Sequence, residues 1–304
     1  MPDLSVILPA RDCESTIGTA VSSTLRAMPA DAELVVADDA STDATAERAC
    51  AGATRRGGAV DPRLRIITAT PGEGGVARVL SQLLDATDSR LVARMDGDDI
   101  SLPSRFARAL GAIEQGDDMV FTQVVELVGR LPRPRAPYEI APDEIGWHLL
   151  LTNPLCHPTM VSTREALDRV GGYRPVPAED YDLWIRSAHA GAAIRRLAAW
   201  GLVYRIHPAQ VTASSSWRAS SWDDPDQARA FADLSESLTG ERLPRLVSLV
   251  GLPAAEREDA LTRFEAAIAP GIARLGGLRA TRLTRRLRAR IAWARAARAD
   301  GGPR

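Results

Sequence analysis

Lysine is missing from all 304 residues, so the 38 basic side chains are all arginine. That bias is the composition of GC-rich coding rather than a functional signature. Cysteine occurs three times, at Cys13, Cys50 and Cys156, an odd number without paired spacing. A disulfide framework and a Cys/His zinc set are thereby excluded, and free thiols in a reducing cytosol are expected. No run approaches the roughly 18 apolar residues of a membrane span. The chain enters strand-like Leu4–Leu8 directly, without a signal-peptide pattern, so the expected setting is cytoplasmic. A Gly-x-Ser-x-Gly nucleophile elbow and a phosphate-cradling Gly-Lys-Ser element are also missing. Gly72–Gly75, just before a helical pattern, is only a weak phosphate-loop signal.

The apolar fraction, 45%, and the near-balanced net charge of −1 are those of a globular protein with a full core. That balance conceals an asymmetry. From Gly271 onward there are ten arginines against Asp300 alone, a local +9, which leaves about −10 on the preceding 270 residues. An acidic body with a basic tail is a clue about partners.

The first hundred residues alternate strand-like and helix-like segments. Strands are expected at Leu4–Leu8, Glu33–Ala37, Leu64–Thr68 and Leu91–Met95, with helices at about Glu14–Leu25, Asp43–Ala53 and Val76–Ala86. This rhythm predicts an α/β fold, a Rossmann-like, mostly parallel sheet flanked by helices. Ligands in such sheets bind beyond the carboxyl ends of the strands. Three strand ends here carry polar clusters: Pro9–Asp12, Asp38–Asp43 and Asp96–Asp99. Further on, Ser101 is the expected N-cap of a helix over Leu102–Ile113, and Asp118–Val128 reads as a strand. Leu131–Pro142, with four prolines, is expected to be an irregular surface loop, either a lid or a plain connector. Beyond about residue 220 the pattern is helical and rich in Arg and Ala.

The acidic clusters carry the chemistry. The apolar run Leu91, Val92, Ala93, Met95 stops at Asp96, Asp98 and Asp99. Unpaired carboxylates are too costly to bury, and at this spacing they repel. A hard cation, Mg²⁺ or Mn²⁺, relieves that repulsion and takes substrate phosphate oxygens as further ligands. The alternative is a solvated acidic turn. In Asp38–Asp43, Ser41 or Thr42 and Asp43 suit a helix cap. The two adjacent aspartates exceed what a cap requires, and one could accept from a pyrimidine imide or a ribose hydroxyl. Glu179 and Asp180 open a short helix whose Leu183, Trp184 and Ile185 face the core, and Asp182 can pair with Arg186 on the surface. Asp180, in the first turn, could take a proton from an attacking hydroxyl or merely cap the helix. His207 follows strand-like Leu202–Ile206 as a metal ligand, a phosphate contact or a structural histidine. His157 either lines an acceptor or packs; His148 and His189 carry no assignment.

Taken in order, these motifs resemble a family 2 glycosyltransferase of the GT-A fold over roughly residues 3–212. Ser5–Pro9 resembles the family's opening strand, and Val35–Asp43 its nucleotide-binding D-D-x-S-x-D turn. Ala93–Asp99 resembles its metal-binding D-x-D strand end. Glu179–Trp184 resembles the Glu-Asp helix that carries the base, and Tyr204–His207 its closing strand. Two positions depart from the pattern: Pro9-Ala10-Arg11-Asp12 replaces the usual Pro-x-Tyr-Asn, and Ser81 stands where an Asn is common.

The resemblance implies an inverting transferase that moves a sugar from a nucleoside-diphosphate sugar to an acceptor hydroxyl, in glycan, polysaccharide or glycoconjugate biosynthesis. Asp38 would bind the base, with Pro9, Asp39 and Asp96 on the nucleoside side. Asp98 and Asp99, with His207, would hold Mg²⁺ or Mn²⁺. Asp180 would be the catalytic base, and His157, Glu179 and Trp184 would lie on the acceptor side. Two rivals share parts of this pattern. A sugar-nucleotide nucleotidyltransferase would need a basic Gly-rich loop after the first strand, where Pro9–Ser15 offers only Arg11. A non-catalytic nucleotide-sugar-binding module would not need Asp180.

The expected domains are a glycosyltransferase domain over 1–215 and a helical, Arg-rich region over 216–304. Within the latter, Leu275, Leu283, Leu287 and Ile291 recur at helical spacing, with Trp293 nearby and nine arginines around them. Gly271–Arg298 is therefore expected to lie on an anionic membrane surface, a useful placement for a lipid-linked acceptor. The competing expectation buries the stripe on the protein's own body or on a second subunit of a homo-oligomer. Nucleic acid is not an expected partner, because interleaved aromatics are missing.

Overall fold

The computed structural model describes residues 2–72, 74–207, 221–222 and 224–297. Pro208, Ala209, Gln210 and Arg298, which entered the sequence reading, lie outside them. The chain forms two compact units, each assembled from several stretches. The first comprises Met1–Ala141, Leu155–Pro175 and Ala192–His207; the second comprises Pro142–Pro154, Val176–Gly191 and Pro208–Arg304. This division is not the single cut near residue 215 that was expected.

The first unit holds a nine-stranded sheet. Strands β1 (Leu4–Ala10), β2 (Glu33–Asp38), β3 (Leu64–Thr68) and β4 (Leu91–Arg94) pair in parallel in the order β3-β2-β1-β4. Helices α1 (Ile17–Ala27), α2 (Thr45–Gly52) and α3 (Gly75–Asp85) connect them. The strands are nearly continuous apolar runs because helices cover the sheet; Val6, Ile7, Leu8 and Leu34–Ala37 are fully buried. Beyond β4 the sheet becomes mixed. Strand β8 (Val161–Thr163) joins β4 antiparallel, followed by β6 (Met119–Val128), β9 (Ile194–Ile206) and the two-residue β5 (Ile100–Ser101).

Two local expectations are corrected here. Ser101 is not a helix cap: it sits in β5, its amide donating to Ser23 Oγ at 3.0 Å, and α4 (Arg105–Glu114) starts after Ser104. The cause is Pro103, which disfavours helical backbone at Leu102. Leu131–Pro142 is not wholly irregular either. Leu131–Pro134 forms strand β7 against β6, after a turn at Gly129 with φ +61°. Pro132 and Pro134 are tolerated because β7 is exposed and pairs with β6 alone, so a missing N–H costs no ladder bond.

The second unit is helical among its described residues. It contains α5 (Pro142–Leu149), α7 (Glu179–His189), α8 (Pro225–Thr239), α9 (Ala254–Arg274) and α10 (Gly277–Ala296); α6 (Arg164–Arg169) belongs to the first unit. Start and stop signals are explicit at α8: Asp224 accepts from the Gln227 amide at 2.8 Å, Pro225 occupies the first turn, and Gly240 ends it at φ +81°. Gly271 of α9 is a packing requirement, since a Cβ there would fall 1.9 Å from Trp147 Cη2. Trp184, Phe231, Leu261, Phe264 and Ile268 form the core with Leu283, Leu287 and Ile291 of α10.

That last fact corrects the membrane reading. Leu283 is fully buried, and Leu287 and Ile291 are 2% and 3% exposed. Each stabilises the fold by about 1.5–3 kcal/mol, so these three positions belong to the protein's interior and not to a lipid-facing stripe, while Leu275 and Trp293 are half-buried. The physical reason is the break at Gly276 and Gly277, both at positive φ, which separates α9 from α10 and lets them pack together. Among the described residues, no helix is long and apolar enough to cross a membrane.

Candidate active site

Parallel pairing brings the three polar clusters of the first unit to one edge of the sheet. Ala10 pairs with Asp38 and Ile7 with Arg94, so the loops after β1, β2 and β4 leave at nearly one level. The loops after β1 and β2 are tied together. Asp12 Oδ1 accepts from the Thr42 amide at 2.8 Å, and Ser41 Oγ accepts from the Asp12 amide at 3.1 Å. Asp12 and Ala40 both adopt left-handed φ, 46° and 53°, a cost that surrounding structure must impose.

Asp38 accepts from Ser41, through both its amide and its hydroxyl. Neither Ser41 nor Thr42 caps α2: its N-cap is Ala44, which has no capping side chain, and Asp43 just before it accepts from the Thr45 amide at 3.0 Å. Asp39 is ion-paired with Arg78 of α3, and Arg11 Nη1 lies 3.7 Å from its second oxygen. Arg78 was not anticipated, because the pairing spans 39 residues. Pro9 is half-buried at the end of β1, and Ser81 Oγ binds back to the Ala77 carbonyl in α3.

Beyond β4 the oxygens of Asp96, Asp98 and Asp99 come within 4.8 Å of one another. Each has a different neighbour. Asp96 is paired with Arg94, and Asp98 Oδ2 is 2.9 Å from His207 Nε2. Asp99 is 1% exposed and accepts from the Arg205 amide at 2.9 Å, while its Oδ2 is buried with no hydrogen-bond partner among the described residues. Burial, reinforced by the neighbouring charges of Asp96 and Asp98, pushes the Asp99 carboxyl up to about 9. His207, expected as a ligand, thus lies beside the cluster with Nε2 against Asp98.

Arg105, fully buried below the cluster, hydrogen-bonds the Arg94 carbonyl, and burial lowers its guanidinium to about 10 while Asp99 and Asp96 oppose that shift. Arg94 and Arg105 were missed as site residues; the available signal was their position on either side of the acidic run. Gly97 is required by close approach: a Cβ there would lie 2.8 Å from Cys13 Sγ. That thiol is itself raised to about 11, chiefly by burial. Three crowded carboxylates with one buried oxygen left over form a hard-oxygen set that a divalent cation fits.

The other predicted residues are distributed as follows. His157 belongs to the first unit, is 8% exposed, and its Nε2 lies 2.8 Å from Tyr173 Oη, so it packs rather than facing an acceptor. Glu179, Asp180 and Trp184 belong to the second unit, on α7. Trp184 is fully buried and is corrected from acceptor contact to core, because its ring fills the interior side of α7. Asp182 is likewise fully buried; its pair with Arg186, at 2.8 Å, is not a surface one. Asp180 is half-buried in the first turn. Its Oδ2 accepts from Asn153 Nδ2 at 2.9 Å and its Oδ1 from the Tyr181 amide at 2.6 Å. It lines a cavity of about 380 Å³ in the second unit.

A sequence model described as Glycosyl transferase family 2 matches residues 5–167, more than half of the chain. The chain belongs to glycosyltransferase family 2. The putative glycosyltransferase EpsE of Bacillus subtilis (strain 168) is 29% identical over 201 residues, 62% of this chain and 68% of that protein. The O-antigen biosynthesis glycosyltransferase WbnJ of Escherichia coli is 30% identical over 158 residues, 49% of this chain and 59% of its own length. The chain therefore spans between about half and two thirds of such relatives.

In fold it is similar to S. aureus TarS solved with UDP-GlcNAc, at TM-score 0.60 and 18% identity, covering 97% of this chain and 90% of that one. The mannosyltransferase PcManGT of Pyrobaculum calidifontis, solved with GDP-Man and Mn²⁺, gives TM-score 0.57 at 18% identity over 96% and 86% of the two chains. The mixed, mostly parallel sheet with a helical C-terminal part is that of the GT-A glycosyltransferases, as the motif order implied.

Proposed function

We propose that this glycosyltransferase transfers a sugar from a nucleoside diphosphate to an acceptor hydroxyl with inversion, in polysaccharide or glycoconjugate biosynthesis. The observation that carries the reading is the Asp96, Asp98, Asp99 cluster at the end of β4, with Asp99 Oδ2 buried and unpartnered among the described residues. Asp98 and Asp99 would hold Mg²⁺ or Mn²⁺. When bound, that ion supplies Lewis-acid neutralisation of charge developing on the leaving diphosphate.

The chain's own residues do the rest. Asp38 and Asp39, at the end of β2, face the base and ribose; binding there requires Arg78 to share or release Asp39. Arg94 and Arg105 keep the acidic cluster from unfolding under its own repulsion. Asp180 accepts the acceptor's hydroxyl proton while that oxygen bonds the anomeric carbon and the bond to the diphosphate breaks. A single displacement inverts the centre, and no covalent enzyme intermediate forms. Asn153 and the Tyr181 amide orient the carboxylate without protonating it.

The experiment is release of nucleoside diphosphate from a panel of UDP-, GDP- and dTDP-sugars, with EDTA and then Mn²⁺ or Mg²⁺ restored. Release that is lost in EDTA and regained with the ion supports the reading. Undiminished transfer in EDTA overturns the metal assignment, and donor binding without release favours a non-catalytic module.

A further inference from the structure

The lining of the cavity in the second unit includes Asp180, Tyr181, Trp222, Phe231, Arg245 and Arg290, with the Arg245 guanidinium 5.8 Å from the centre of the Tyr181 ring. At about 380 Å³ it lies within the range of small-molecule sites. Its cations are unequal. Arg245 Nη1 is bound to the Ser221 carbonyl at 2.6 Å and to Gln227 Oε1 at 2.8 Å, which fixes it in the wall. Arg290 of α10 has no such anchorage: its guanidinium lies 4.2 Å over the Trp293 ring, and its Nε is buried without a hydrogen-bond partner among the described residues.

Three other α10 arginines have polar partners. Arg279 pairs with Asp143, Arg295 with Glu258, and Arg286 reaches Thr152 Oγ1 at 3.3 Å. Arg290 pairs with no carboxylate among the described residues; the groups that bear on it are a second cation, Arg286, and Tyr181, whose hydroxyl burial pushes up to about 12 and so keeps neutral near pH 7. Burial disfavours the charged form of Arg290, the direction expected of a cation held without a counter-ion. A half-buried guanidinium beside another arginine, in a cavity of ligand size, is a site for an anion, and the planar fork suits phosphate or carboxylate oxygens.

We propose that this cavity binds an acceptor carrying a negatively charged group, phosphate or carboxylate, with Arg290 holding the anion. The inference rests on the reading of Asp180 as the base, since it puts the acceptor's hydroxyl and its anionic group in the same cavity. Trp222 adds a flat apolar surface of the kind that the C–H face of a sugar packs against. The acidic residue and the two arginines leave the cavity lining net positive, so a neutral acceptor would leave Arg290 desolvated and uncompensated.

The test is titration calorimetry on the full chain in EDTA, which removes metal-assisted binding of phosphates on the donor side. The probes are inorganic phosphate, glucose 1-phosphate, glucuronate and uncharged methyl glucoside. The anionic probes should bind and methyl glucoside should not; the tighter of glucose 1-phosphate and glucuronate assigns the anionic group. Arg290→Gln should weaken anion binding about tenfold or more, the loss of one charge-assisted contact. Arg290→Lys should retain most of it, which separates charge from misfolding. Asp180→Asn should leave anion binding intact or tighten it while lowering turnover, assayed separately with metal, by roughly 10²–10⁴, so failure of the base assignment reads out separately. Equal binding of methyl glucoside and glucose 1-phosphate, or wild-type anion binding by Arg290→Gln, overturns the proposal.

Discussion

The two units treat charge in opposite ways. At the sheet edge of the first, Asp96, Asp98 and Asp99 crowd together; Arg94 meets Asp96, His207 lies against Asp98, and one buried oxygen of Asp99 is left over, while Arg78 meets the neighbouring Asp39. In the cavity of the second, a carboxylate is held by an amide and a backbone N–H, and a guanidinium nitrogen of Arg290 is left over. Buried polar atoms without partners are rare and costly. One site is thus short of a cation and the other short of an anion, and under the proposed function they would be a metal-assisted donor site and an acceptor pocket.

The largest effect should come from the crowded side. Asp98→Ala or Asp99→Ala should reduce turnover by roughly 10³ or more, the scale of losing preorganised electrostatic stabilisation. Both variants should fold, because Asp98→Ala relieves like-charge repulsion and Asp99→Ala removes a buried carboxyl whose Oδ2 has no hydrogen-bond partner among the described residues. A variant that folds and keeps wild-type turnover in a product-release assay would break the comparison at its first term.

Next comes Asp180→Asn, which preserves size and the Asn153 contact but cannot take a proton. Turnover should fall by roughly 10²–10⁴ with donor affinity nearly unchanged. Loss of donor affinity with full residual rate at saturation would make Asp180 a binding group instead.

Leu287→Ala tests whether the basic helix is core. Denaturant unfolding should show a loss of about 2–5 kcal/mol, with no change in sedimentation alongside anionic vesicles. A variant of unchanged stability that stops binding vesicles would restore the membrane surface.

The smallest effect concerns a matched carboxylate far from either site. Asp61 is 5% exposed and held by Arg63 and Arg55, whose contacts keep its carboxyl well below the ordinary value of 3.8. A depressed folded value means that its contribution is present above the unfolded value and is lost as pH falls through the acid range. Asp61→Asn should therefore cost about 1–3 kcal/mol at pH 7, and the difference from wild type should shrink below pH 4. A cost that is the same at pH 3 and pH 7 would show that shape rather than charge is lost.

Much of the first unit was legible because its information is local. Leu4–Leu8, Glu33–Ala37 and Leu64–Thr68 are apolar runs of strand length that end in polar clusters, and each became a strand within two residues of its expected end. A parallel sheet has little freedom about where its strands end relative to one another, so three carboxylate clusters at strand ends already implied one edge. The Glu179–Asp180 helix was legible for the same reason. Less was legible where prolines or amphipathic periodicity spoke alone. Pro132 and Pro134 read as loop, although an edge strand accepts them. The stripe of Leu283, Leu287 and Ile291 declared a buried face without saying against what.

By itself, then, the sequence determined the alternation of strands and helices, the acidic ends of β2 and β4, and the family. All are properties of contiguous residues, and backbone geometry translates them directly. Tertiary structure decided which charges are satisfied. Arg78 reaches Asp39 across 39 residues, Arg105 is buried within reach of the Asp99 charge, Cys13 closes on Gly97, and Arg290 lines a cavity with no carboxylate paired to it among the described residues. Charge compensation falls with distance in space and with exposure to water, and neither is written in spacing along the chain.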